Sequence, residues 1–359
     1  GMSLRVLSTA TYCAVAVVAI LLASMTPVRS KPPAGRHPEI WLCAGDRIGQ
    51  LLEPGAEWSF VKKNISGIKL YVDQVNSTDP REMRKLVRLI TAQRYKVAIE
   101  IGGCLDFGPM DRTNGEWSAA HELAKIRKLY DAGGKVDYLD LDGPVRRLTH
   151  PEGRTDGKHF ASADEAAEEV VDAVRAIHRV YPTIRFWHLT NFPNWGYKGD
   201  VSYHARGPQR QDYGDYDTVH RLVLEKLRRA RLPLVGVTVD NPYDYLIGEH
   251  LSVNLKPPSQ VNWLRRVLDY EKRCRREGLE FNLIVNSERG GMASDALFAE
   301  ETLRMVDVYL KAGGKPDRLF VQTWYPYPKA MAPESDPTTM TGLVKRIIER
   351  VRRGGSTGS

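Results

Sequence analysis

Apolar and polar residues alternate along the stretch 136–144, which reads Val-Asp-Tyr-Leu-Asp-Leu-Asp-Gly-Pro. A strand sends successive side chains to opposite faces. Leu139 and Leu141 therefore share one face, and Tyr138, Asp140 and Asp142 share the other. Gly143-Pro144 ends the strand just after Asp142. Two acids on one face at a strand's C-terminal end are costly to bury without a partner or a purpose. The ordinary alternative to a functional site is a structural salt-bridge or hydrogen-bond network.

The same pattern recurs along the chain. Strand-like segments fall at 40–46, 67–73, 96–103, 136–144, 184–192, 234–241, 280–288 and 318–325. Helix-period segments fall at 79–93, 116–131, 163–180, 215–230, 259–278, 295–312 and 339–352. Asp79 fits a helix N-cap with Pro80 at the first helical position. Eight strand-like segments alternating, with few exceptions, with helix-period ones predict an α/β fold, a single (β/α)8 TIM barrel. An open doubly wound sheet is the alternative, and no glycine-rich dinucleotide fingerprint follows the first strand. An internal echo favours closure. Ala132-Gly-Gly-Lys-Val-Asp137 leads into the fourth strand and Ala312-Gly-Gly-Lys-Pro-Asp317 into the eighth, four units apart.

In a barrel the apolar alternates face the helices and the remaining residues face inward. This places Lys69, Tyr71 and Asp73 inside from the second strand, and Ala98, Glu100 and Gly102 from the third. The fourth contributes Tyr138, Asp140 and Asp142; the sixth contributes Gly236, Thr238 and Asp240. The seventh contributes Asn282, Asn286 and Glu288, and the eighth Phe320, Gln322 and Trp324. The fifth strand is ambiguous, with His188 and Thr190 the preferred inward pair. Asp73, Asp142, Asp240 and Glu288 thus approach the C-terminal strand ends, where reactions occur in this fold, with Glu100 one layer deeper. Crowded carboxylates cannot all ionise at ordinary pKa values, so at least one should hold its proton as a general acid requires. The loops add aromatic faces suited to pyranose rings: Asn191 to Tyr197 with Trp195, Tyr243 and Tyr245 after the sixth strand, and Trp324-Tyr325 after the eighth.

Charge and composition narrow the classes. The 359 residues are 42% hydrophobic and 27% charged, with a net charge of +8. The excess lies in helix-like runs such as Glu225 to Arg229, which read as solvated faces rather than a nucleic-acid site. Arg5 precedes an apolar run over about 13–25, short for a membrane span and of signal-peptide length. The expected organisation is a signal peptide at 1–30, a linker at 31–38, a barrel at 39–353 and a tail at 354–359. Export to a secreted or periplasmic location follows, with no stable membrane insertion after cleavage. Cys43, Cys104 and Cys274 do not form a disulfide framework.

The strand-end residues resemble the chitinase-like family 18 glycoside hydrolases. That family carries Ser-x-Gly-Gly on strand three and DxxDxDxE on strand four. Here strand three ends Glu100-Ile-Gly-Gly103, and strand four carries Asp137, Asp140 and Asp142 at the family's spacing. Trp324 fits the family's tryptophan near the end of strand eight. Pro144 stands where the family has its proton-donating glutamate. A second resemblance is to retaining (β/α)8 glycosidases, which place an acid/base at the end of strand four and a nucleophile at the end of strand seven. Asp142 and Glu288 occupy those places, without the usual Asn-Glu pair on strand four.

The expectation is a glycoside hydrolase acting on a polysaccharide or oligosaccharide, without cofactor, metal or nucleic-acid partner. The catalytic candidates are Glu288 and Asp142, with Asp240 and Glu100 as substitutes. The substrate-binding candidates are Asp140, Trp324, Tyr71, Asp73, His188, Asn191, Trp195, Tyr243, Asn286, Gln322 and Tyr325. One rival is a catalytically silent carbohydrate-binding barrel, motivated by Pro144. The other is a divalent-metal-dependent isomerase or hydrolase, motivated by the carboxylates with His188.

Overall fold

The computed structural model describes residues 37–102, 114–149, 162–200, 202, 213–250 and 261–354. Cys104 and the N-terminal segment expected to direct export lie outside them. In chain order the elements are β1 (Glu39–Cys43), α1 (Ser59–Asn64), β2 (Gly67–Tyr71), α2 (Val72–Ser77), α3 (Pro80–Gln93), β3 (Lys96–Gly102) and α4 (Asn114–Asp131). There follow β4 (Tyr138–Asp142), α5 (Arg146–Thr149), α6 (Ala163–Val180), β5 (Arg185–Asn191), α7 (Tyr216–Arg229), β6 (Leu234–Asp240) and α8 (Tyr243–Leu246). The last are α9 (Trp263–Arg276), β7 (Glu280–Val285), α10 (Glu288–Ala293), α11 (Asp295–Lys311), β8 (Arg318–Gln322) and α12 (Met340–Gly354).

All eight strands pair in parallel, and β8 pairs with β1, so the sheet closes. Their outward residues, such as Ile68, Leu70, Ile99 and Leu139, are fully buried against the helices. The helices begin where the sequence provides caps. Asp79 accepts the Arg81 amide at 2.8 Å with Pro80 following, and Ser162 and Asn262 cap α6 and α9 through their own side chains.

The barrel interior is layered. At its N-terminal end Arg318 reaches Glu280 at 3.1 Å and Glu39 at 3.1 Å. Above them Trp41, Ala98, Tyr138, Trp187, Leu189, Ile284 and Phe320 form an apolar plug. Tyr138 and Trp187 stack with ring centroids 3.9 Å apart. Such packing is solid rather than a pore. The next layer is polar: Lys69, Glu100, Asp140 and Gln322. The mouth lies above it.

The internal echo is structural. Asp137 accepts the Val97 amide through its carboxylate at 2.9 Å, and Asp317 accepts the Phe281 amide at 2.8 Å. Gly134 and Gly314 each return an amide to a carbonyl at the preceding helix end, both at 3.0 Å. Gly133 and Gly313 precede them at φ +88° and +95°, where a side chain is disfavoured.

Several strands end earlier than expected, β8 at Gln322 among them. The chain leaves β1 at Cys43 for a 3-10 turn, leaves β2 at Tyr71 for α2, and leaves β7 at Val285 before α10. The second of these removes Asp73 from the interior. It sits on α2 with its side chain 85% exposed, paired with Lys125 at 2.8 Å.

Candidate active site

Lys69 stands at the floor of the site. Its Nζ lies 2.8 Å from Glu100 Oε2, 2.9 Å from Asp140 Oδ2 and 3.0 Å from Gln322 Oε1. Gln322 in turn donates to Glu100 Oε2 at 3.0 Å. Burial opposes charge on Lys69, but Asp140 and then Glu100 outweigh it and hold its pKa above the usual lysine range. Burial raises Asp140 to about 6, against the pull of Lys69. Asp140, Glu100 and Gln322 are therefore a supporting layer, fixed from beneath.

Above that layer lie Asp142, Asp240 and Glu288. Asp142 accepts from the Asn191 amide at 2.9 Å and has Arg146 at 3.8 Å. Burial and then the Glu100 charge raise its pKa, while Arg146 and Asn191 pull it back. Asp240 is half-buried, and its Oδ1 is shut from solvent with no hydrogen-bond partner. Burial first, then the charges of Glu100 and Asp142, push its carboxyl up to about 8; Glu288 adds to the rise and Lys69 opposes it. Asp240 therefore keeps its proton at neutral pH.

Glu288 opens α10, with Ser287 as N-cap accepting the Gly290 amide at 2.9 Å. Its side chain is 30% exposed, and the Tyr245 hydroxyl donates to Oε2 at 2.5 Å. Asp244 fixes the start of this helix by accepting the amides of Glu288 at 3.0 Å and Arg289 at 3.3 Å. Tyr325 is buried beside α10, where a Cβ on Gly291 would come within 2.4 Å of its ring. Burial raises the Tyr325 phenol, and the charges of Asp240, Glu288 and Asp244 add to the shift. Tyr71 donates to the Thr323 carbonyl at 3.1 Å. Burial, then the Cys43 and Glu100 charges, raises its phenol pKa, with a smaller contribution from Asp240. Trp324 leaves the mouth 64% exposed, its ring tilted over Tyr325 at 4.6 Å.

The structure thus brings together Glu288, Asp142, Asp240 and Glu100, with Asp140, Asn191, Gln322, Tyr71 and Tyr325 around them. Asn286 is buried just past the end of β7. Four expected residues belong elsewhere. Asp73 is on the surface, as described above. His188 faces outward, because Trp187 and Leu189 fill the interior from β5. Its Nδ1 meets the Tyr216 hydroxyl at 3.2 Å, and burial lowers its pKa to about 3, so it supplies neither charge nor ligand to the mouth. Thr190 shares that outward face. Trp195 is buried at 2% exposure against Tyr213 and Tyr216, each at 5.4 Å, and is core rather than a sugar platform. Tyr243 is likewise buried in the large apolar cluster and presents no open ring face. Pro144, where a family 18 enzyme would carry its acid, is buried and lines a small cavity with Ile101, Leu141 and Val174.

Two residues at the mouth, Asp244 and His250, carried no role in the sequence reading, and Tyr245 figured there only as an aromatic face. His250 Nδ1 lies 3.0 Å from Asp244 Oδ2 and 3.8 Å from Glu288 Oε2, and its ring stacks on Tyr245 at 3.7 Å. The Pro242 to Tyr245 stretch drew attention for its aromatics alone. No local periodicity marks His250.

No family model and no curated protein matches the chain. Solved structures do. One is a psychrophilic glycoside hydrolase family 10 endo-beta-1,4-xylanase, 11% identical over 80% of this chain and 86% of that chain, with a TM-score of 0.45. Another is the intracellular xylanase TsXylA from Thermoanaerobacterium saccharolyticum, 10% identical over 81% and 89% of the two chains, with a TM-score of 0.46. A third is active domain 2 of a chitinase from Pyrococcus furiosus, 14% identical over 89% and 98%, with a TM-score of 0.42.

Proposed function

We propose that the chain is an exported glycoside hydrolase that cleaves glycosidic bonds in a polysaccharide or oligosaccharide at the C-terminal mouth of its barrel. Glycosidic cleavage uses two carboxyl groups flanking the bond, one protonated and one ionised. The observation that carries this reading is the contrast between Asp240 and Glu288. Asp240, raised to about 8, is a proton donor at neutral pH. Glu288 is partly open to solvent and oriented by Tyr245 as nucleophile or base. Asp142, the acid candidate favoured by its strand position, is engaged by Asn191 and Arg146. Its role in this reading is to sustain the proton on Asp240. Trp324 offers the exposed ring on which a sugar face can pack.

The test is reducing-end release across a polysaccharide panel by wild-type protein, Glu288→Gln and Asp240→Asn. Each substitution is expected to lower turnover by about 10²–10⁴ on the saccharide that is cleaved. Glycan binding by the wild type with no release from any member of the panel would instead favour a silent carbohydrate-binding barrel.

A further inference from the structure

The carboxylates of the mouth are unevenly neutralised. Lys69 serves Glu100 and Asp140, and Arg146 stands near Asp142. Among the described residues, no lysine or arginine lies within 4.0 Å of Asp240, Asp244 or Glu288; the basic group facing the last two is His250. Asp244 Oδ2 and His250 Nδ1, from the stretch after β6, and Glu288 Oε2, from the start of α10, lie within 4.8 Å of one another. Zinc bound by nitrogen and oxygen at about 2.0–2.1 Å in tetrahedral geometry needs ligand atoms about 3.3 Å apart. The 3.0 Å and 3.8 Å separations from the imidazole bracket that value.

The supporting contacts suit a ligand set. Asp244 is 1% exposed and is held in place by two backbone amides, so its orientation is set before anything binds. Glu288, at 30%, and His250, at 15%, leave an approach from solvent. A further buried polar group lies two residues before Glu288. Asn286 is 1% exposed, and neither its amide oxygen nor its amide nitrogen has a hydrogen-bond partner. Its backbone carbonyl takes the Tyr243 amide, next to Asp244. A buried amide without partners is costly unless something completes it.

We propose that Asp244, His250 and Glu288 form a divalent-cation site, of the imidazole–carboxylate type taken by Zn²⁺ or Mn²⁺, whose occupation withdraws Glu288 from saccharide cleavage. One imidazole with two carboxylates suits these ions. Binding exchanges the His250–Asp244 hydrogen bond for two metal bonds, and any proton on Nδ1 leaves to solvent. The competition with cleavage rests on the reading of Glu288 as a catalytic carboxylate; cation binding itself does not.

The experiment is calorimetric titration of chelator-treated full-length protein with Zn²⁺ and with Mn²⁺, in the absence of saccharide. One saturable equivalent is expected for at least one ion. His250→Ala and Glu288→Gln should each weaken it at least tenfold, a threshold of about 1.4 kcal/mol, while His121→Ala, an exposed histidine on α4, leaves it unchanged. Circular dichroism establishes that the variants are folded. No saturable binding of either ion, or equal affinity in wild type, His250→Ala and Glu288→Gln, overturns the site. In the cleavage assay, rate should fall as the cation saturates and return with chelator; a rate that rises with the cation overturns the competition. Loss of cleavage in Glu288→Gln with unchanged cation affinity would remove the cation site and leave the hydrolase reading intact. Cation binding that depends on His250 in a protein that cleaves no saccharide would do the reverse.

Discussion

Lys69 Nζ lies 2.9 Å from Asp140 Oδ2, and neither side chain is exposed to solvent. The pair crosses the barrel between two strands and carries the carboxylates of the mouth above it. Removing one member of a buried ion pair leaves the other uncompensated, at a cost of about 3–5 kcal/mol. Lys69→Met is therefore expected to lower unfolding free energy by about that amount at neutral pH, with a smaller loss in acid, where the carboxylates take up protons. Urea denaturation measures it. A variant within about 1 kcal/mol of wild type at pH 7 would contradict this account.

Asp240 predicts a basic limb in the pH dependence of cleavage. If its proton is the one delivered to the leaving group, kcat/KM falls tenfold per pH unit above about 8. The same shift acts on stability. An ordinary aspartate titrates near 4, so between about 4 and about 8 the folded state holds a proton that the unfolded state has lost. The stability this contributes is complete below the unfolded pKa and lost as pH rises through about 8. Wild type should weaken across that range relative to Asp240→Asn, as followed by chemical denaturation at a series of pH values.

Tyr245 should matter to rate more than to binding. Its hydroxyl donates to Glu288 Oε2 at 2.5 Å, a charge-assisted bond that orients the carboxylate. Tyr245→Phe is expected to lower kcat by about 10–100-fold, from the roughly 1.5–3 kcal/mol of such a bond. KM should change little. Steady-state kinetics on the cleaved saccharide separates the two parameters, and a change confined to KM would count against an orienting role.

Asp137 and Asp317 should be energetically equivalent. Each carboxylate accepts one strand amide four units apart in the barrel, at 2.9 Å and 2.8 Å. Asp137→Ala and Asp317→Ala are each expected to cost about 1–3 kcal/mol, the price of an unsatisfied amide. Being distant from one another, their effects should add in the double variant. Thermal or urea unfolding of the single and double variants decides this.

Trp324 should carry substrate affinity without supporting the fold. Its ring is 64% exposed, so Trp324→Ala removes little packing. An aromatic stacking contact is worth about 0.5–1.5 kcal/mol, which predicts a rise in KM of about 3–10-fold with unfolding free energy unchanged. Inhibition or affinity measurements with oligosaccharides of increasing length would show whether the loss belongs to one sugar position.

Much of the architecture was legible because a parallel barrel imposes a simple pattern on its strands. Leu139 and Leu141 face the helices, while Tyr138, Asp140 and Asp142 face inward, as the alternation requires. The Gly-Gly echo before β4 and β8 was a repeat of one loop conformation. The failures have equally local causes. Alternation says nothing where both faces of a strand are bulky, as in β5, so His188 was drawn inward in place of Trp187. It also fails where a strand stops early, which placed Asp73 inside when the chain had already turned into α2 at Val72.

The sequence by itself carried the eight-strand α/β pattern and the inward placing of Glu100, Asp142 and Asp240, because strand period and strand count are written into residue order. Only the tertiary structure decided how those acids differ. Asp140 and Glu100 are neutralised by Lys69, Asp142 is held by Asn191, Glu288 by Tyr245, and Asp240 is left protonated. It likewise decided that Asp244 and His250 join Glu288, since they reach it from the stretch after β6. A pKa and a ligand set depend on distance and burial in three dimensions, and neither is a property of spacing along a chain.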